Sequence, residues 1–177
     1  EEAPASPAAV GGASAVPSAL PMAVGAAAGA SSVPGTAQAA VASPAREQVV
    51  VTTDVLRLTF DSEGGSLTQA EMLKYADMAD KSKNFLLFDQ SAERVYLAQT
   101  GLIGGNFPTH KPPMTVVPGP RSLGDGQDSL GVRFESPSVD GVQLVKTWTV
   151  QRGAYALSVQ HEVVNTGNVA VSPQLYL

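Results

Sequence analysis

Between Val142 and Val163 the chain alternates with a period of two, and it does so twice. Val142, Leu144, Lys146, Trp148 and Val150 share one side of the first run, against Gln143, Val145, Thr147, Thr149 and Gln151. Arg152-Gly153 then turns the chain, and Tyr155, Leu157, Val159, His161 and Val163 oppose Ser158, Gln160 and Glu162. Successive strand side chains point to opposite faces, so this spacing predicts two antiparallel strands with one face for a core and one for water. Asp140-Gly141 is a hairpin turn dipeptide that joins them to a strand over Leu130 to Glu135. Asn165-Thr166-Gly167 turns the chain again, and Val169, Val171, Leu175 and Leu177 begin a further strand. Linked hairpins of this kind make a meander, so the class is mainly β and antiparallel. Trp148, the only tryptophan, is expected to pack against a second sheet or a covering helix.

The preceding residues carry the same signature less regularly. Val49 to Phe60 reads as a strand rich in β-branched residues, with Leu56, Leu58 and Phe60 alternating against Arg57 and Thr59. Asp61-Ser62-Glu63-Gly64-Gly65 is a turn, since glycine alone takes positive φ without steric penalty. Ser66 to Leu73 fits a helical stripe through Leu67, Ala70 and Leu73 or a returning strand, and the strand is favoured. Lys74 to Asn84 reads as a connection or a short helix. Phe85 to Phe88 and Val95 to Thr100 read as short strands. Gly101 to Ser129 is a long excursion rich in glycine and proline. Loops of this length often carry function, but a surface loop is the favoured reading.

Residues 1–47 are of another kind. From Ala3 to Ala45 there is no charge and no aromatic ring. Alanine, proline, glycine and serine offer too little large apolar surface to offset backbone ordering entropy, so a disordered tether is expected. Pro17, Pro21 and Pro34 interrupt the stretch, and Leu20 to Ala30 is too short to cross a bilayer, so no transmembrane helix is expected. The folded part is then 48–177. Its strand-like end over Pro173 to Leu177 would leave a bare apolar edge, which sheets avoid. The expectation is a domain incomplete at its C-terminus.

The search for chemistry is brief. The net charge is −5, of which Glu1 and Glu2 supply two. That balance gives no electrostatic footprint for nucleic acid. With no cysteine, disulfides and thiolate sites are excluded. The two histidines, His110 in the glycine–proline loop and His161 in a strand, have no metal-ligand spacing. A half-buried strand position is the expected role of His161. Asp61, Glu63, Asp125 and Asp128 lie near turns, which explains them without catalysis. No catalytic, cofactor-binding or metal-binding residue is assigned, and no cofactor is expected.

Two segments carry a family resemblance. Thr52 to Tyr75 (TTDVLRLTFDSEGGSLTQAEMLKY) and Val145 to Gly167 (VKTWTVQRGAYALSVQHEVVNTG) resemble the periplasmic domain of the YidC membrane protein insertase family, as does Tyr96 to Leu102 (YLAQTGL) between them. The resemblance implies an antiparallel β-supersandwich similar to galactose mutarotases. It implies that 1–47 is a linker following a transmembrane helix, and that 48–177 is the N-terminal portion of a domain on the periplasmic face of the bacterial inner membrane. The implied function is non-enzymatic help in inserting and folding inner-membrane proteins, alone or with the Sec translocon. Implied partners are Sec accessory subunits, nascent inner-membrane proteins and the remainder of its own chain. The alternative is a mutarotase-like carbohydrate-binding or sugar-epimerising protein, which would need a histidine and an acid converging in one cleft.

Overall fold

The computed structural model describes residues 46–177. Among them are eleven strands and no helix: β1 Gln48–Thr52, β2 Leu56–Asp61, β3 Ser66–Ala76, β4 Asn84–Gln90, β5 Val95–Tyr96, β6 Gly101–Ile103, β7 Thr115–Val116, β8 Ser129–Glu135, β9 Val142–Gln151, β10 Leu157–Asn165 and β11 Gln174–Tyr176. They form a five-stranded sheet in the order β1-β2-β3-β4-β5, a four-stranded sheet in the order β10-β9-β8-β7, and a short β11-β6 pair. All strand pairings are antiparallel. The two larger sheets pack face to face, an antiparallel β-sandwich. The tether expected over 1–47 lies outside the described residues, apart from Arg46 and Glu47. No helix among the described residues is long and apolar enough to cross a membrane.

The core comes from both alternating patterns. Val49, Val51, Leu56, Leu58 and Phe60 project from one sheet, and Leu130, Val132, Phe134, Trp148 and Val150 from the other. Phe60 stands between the facing aromatics, its ring centre 5.9 Å from Phe134 and 5.5 Å from Trp148. Burying a side chain of this size contributes roughly 2–3 kcal/mol by area alone. Trp148 therefore meets a second sheet, the first of its two expected partners. Its indole N–H donates to the Gly65 carbonyl at 3.0 Å, which satisfies the one polar atom that burial would otherwise strand.

The hairpin joints follow the turn residues. Asp140 and Gly141 both take positive φ, 48° and 79°, the pattern of a two-residue hairpin turn. The strand expected over Val49 to Phe60 is two strands, β1 and β2, paired to each other. The break is Thr53: its hydroxyl oxygen accepts from the backbone N–H groups of Val55 and Leu56, a side-chain turn that competes with the ladder. Ser66 to Leu73 is a strand, and it runs on to Ala76. The short helix weighed for Lys74 to Asn84 does not form. Asp77 accepts from the N–H groups of Ala79 and Asp80, and these bonds close a turn. Of Val95 to Thr100, only Val95 and Tyr96 pair as a strand.

Two findings matter more for the site. Gly101 to Ser129 is a largely exposed excursion, as expected, but it is pinned to the sandwich at several points. Leu102 and Met114 are buried, Met114 N–H donates to the Ser62 carbonyl, and Thr52 exchanges hydrogen bonds with Arg121 and Leu123. The segment is bonded to both ends of the β1–β2 pair. The last strand also departs from the meander. Instead of adding to β10, the chain crosses over, and β11 pairs with β6.

Candidate functional site

The sandwich is open along one side. A cleft of about 620 Å³ is lined by Leu67, Leu87, Phe88, Leu97, Ala98, Thr100, Trp148, Tyr155, Leu157, Val159, Tyr176 and Leu177, with Gln99 the one amide side chain. Its wall on the four-stranded sheet is the inward face of β9 and β10, where Trp148 and Val159 are register partners. Its opposite wall is Leu87 and Phe88 of β4. The floor is the segment before β6, anchored by the paired backbone bonds of Ala98 and Leu67. Concave, largely apolar space of this size with a few polar groups is the usual form of a binding site.

At the inner end of that floor lies a buried charged side chain. Lys146 is fully buried, and its ammonium donates to the carbonyls of Gly64 and Thr100, each at 2.5 Å. No described carboxylate pairs with it. An ammonium held only by neutral dipoles is penalised by desolvation, and burial pushes Lys146 down to about 8. Lys146 and Trp148 alternate with Thr147, so both point inward and both donate to consecutive carbonyls of one turn, Gly64 and Gly65. The turn between β2 and β3 is thereby tied to the opposite sheet at two points.

His161 is the register partner of Lys146. Its Nε2 is 2.7 Å from the Thr100 hydroxyl, so one threonine touches both titratable groups. Burial, and second the Lys146 charge, hold His161 below the usual histidine range. This is the half-buried strand position expected for it.

The other candidates lie apart. His110 N–H donates to the Tyr176 hydroxyl at 3.1 Å, and its Nδ1 approaches the same oxygen. Asp61 is buried at 1 % exposure, 2.6 Å from the Arg46 guanidinium, and accepts from Glu63 N–H. Glu63 also faces Arg46, at 3.1 Å. Asp125 and Asp128 are exposed in the long excursion. No described carboxylate makes an ion pair with either imidazole, and no described cluster of three potential ligands could hold a metal ion. The converging histidine and acid that sugar epimerisation requires are not brought together. Sequence reasoning placed Lys146 on the apolar stripe and drew nothing from it. A lysine within such a stripe was the available signal. Nothing local marked Thr100.

Residues 48–177 match the protein family described as YidC periplasmic domain. Among full-length relatives, the chain is 49% identical over 135 residues to the membrane protein insertase YidC of Bordetella parapertussis, covering 74% of this chain and 23% of that protein. It is 41% identical over 144 residues to the protein of the same name from Herminiimonas arsenicoxydans, covering 81% and 25%. The protein of that name from Cupriavidus metallidurans aligns over 174 residues at 42% identity, covering 98% of this chain and 30% of its own. The chain thus spans about a quarter of the length of the curated relatives it matches.

Proposed function

The chain belongs to the YidC periplasmic domain family, and from that premise we propose that it serves a membrane protein insertase as a non-catalytic interaction domain on the periplasmic face of the bacterial inner membrane. The observation that carries this reading is the match over 48–177, which takes in all eleven strands. The relatives bear the name membrane protein insertase, and it is their substrates, nascent inner-membrane proteins, that this domain is proposed to meet.

The cleft supports the reading chemically. Segments destined for a bilayer are long and apolar, and before insertion they must be kept from aggregating. An apolar concavity with aromatic walls offers such a segment area to bury without demanding a particular sequence. No residue is assigned a catalytic, cofactor or metal role. Residues 1–47 are proposed as the spacer that holds the sandwich away from its anchor. Sec accessory subunits are proposed as further partners on the strength of family resemblance.

The test places a photo-crosslinking amino acid at Val159 or Leu87, in the cleft, and at Gln160, on the outer face of β10. Crosslinking is run while an inner-membrane protein is being synthesised. Adducts to the nascent chain from Val159 and Leu87, and few from Gln160, are the expected result. Equal labelling from all three, or none from the cleft, overturns the reading.

A further inference from the structure

We propose that His161, Thr100 and Lys146 form an acid-sensitive catch on strand β10: a proton taken up by His161 sets a second cation opposite the buried Lys146 ammonium, weakens the hold on β10 and opens the flank of the apolar cleft. The inference stands on geometry and does not depend on the function proposed above.

Three observations carry it. First, His161 and Lys146 are directly opposed in the β9–β10 ladder, where like charges destabilise the pair. Second, the bridge between them among the described residues is neutral. Thr100 meets the imidazole through its hydroxyl and the ammonium through its carbonyl. While His161 is neutral, the hydroxyl can donate to Nε2. A proton on Nε2 reverses that bond and leaves the hydroxyl hydrogen in need of another acceptor. Third, among the described residues β10 is bonded to β9 on one side only, and its Leu157 and Val159 line the cleft.

The surroundings offer no counter-charge. On β10, Glu162 projects from the other face, 3.7 Å from Arg133. On β8, Phe134 is the register partner of Lys146, and Arg133 bonds Glu135. The β2–β3 turn presents the Gly64 carbonyl to the ammonium. On β11, Tyr176 is engaged with His110. Among the described residues only the Lys146 charge acts on His161.

The sign follows. His161 is held below the ordinary value of about 6.5, so its contribution is complete above that pH and is lost as the pH falls through its folded titration. The experiment is residue-resolved hydrogen exchange on the intact chain at pH 7.5 and 5.5, corrected for intrinsic rates, with the His161 titration read by NMR. The opening of Leu157–Asn165 is expected to increase on acidification, by about tenfold for each pH unit separating the folded from the unfolded titration. Gln48–Asp61 should respond less, and His161→Gln should remove the difference between the two strand pairs. An identical response in His161→Gln, or no response of β10 in the unsubstituted protein, overturns the proposal. So does a His161 titration at or above the free-histidine value, which needs no variant at all.

Discussion

The two sides of the sandwich interior obey the same alternating pattern and reach different ends. Around β2, β8 and β9, Leu58 and Phe134 are wholly shielded and Phe60 is 1 % exposed. Along β10, Leu157 and Val159 are only half-buried, and Val163 is 40 % exposed. Alternation assigns each side chain to a face. Burial also requires a second layer across from that face, and β10 looks across the cleft where β9 looks onto Phe60. The closed side is therefore where stability resides, and the open side is where surface remains available for a partner.

The largest effect should come from the closed side. Phe60→Ala is expected to cost about 3–5 kcal/mol, as buried phenylalanine truncations do, measured by urea unfolding. Gly64→Ala should follow at about 3 kcal/mol. Gly64 takes φ of 64°, and an added Cβ would overlap the His110 carbonyl, so backbone must move. A wild-type midpoint for Gly64→Ala would show that the turn is not pinned between the sheets.

Lys146→Met sharpens the contrast through pH. The substitution leaves the Gly64 and Thr100 carbonyls without their donor at every pH, which is destabilising. It also removes a cation whose burial opposes folding below about pH 8. The unfolded chain holds the lysine proton up to about 10.5, so wild-type stability gains between these values as pH rises and loses it again on the way down. The penalty for Lys146→Met should accordingly be about 2 kcal/mol larger at pH 10 than at pH 7. A pH-independent penalty would mean that the ammonium is hydrated rather than sealed. The smallest effect belongs to the open side: Leu157→Ala should cost about 1 kcal/mol, because a half-buried side chain forfeits less transfer energy and leaves no cavity. If it matches Phe60→Ala, the cleft is closed in solution and the distinction between the two sides fails.

How much was legible varies along the chain, for reasons that can be named. β9 was readable to the residue, because period-two alternation and the Asp140-Gly141 turn are local signals. The break between β1 and β2 was missed, although Thr53 sits in plain view. A threonine in a β-branched run supports a strand by propensity, and only its hydroxyl's choice of Val55 and Leu56 N–H groups ends one. The region from Gly101 to Ser129 was read as surface, which most of it is, but its anchoring was not foreseen. Its hydrogen bonds go to Thr52 and Ser62, partners roughly fifty or more residues away that no local window contains. The cleft was not legible at all, since it is a gap between sheets and its lining residues are apolar like any others.

The chain's own order of residues settled the class, the faces of the strands and the family, because each depends on short-range periodicity or on aligned motifs. Tertiary structure alone decided that Lys146 would meet two backbone carbonyls, that Thr100 would join it to His161, and that β11 would leave the meander for β6. Those outcomes depend on which distant backbone groups are brought within hydrogen-bond reach. That is set by how the two sheets stack, and by no local stretch of the chain.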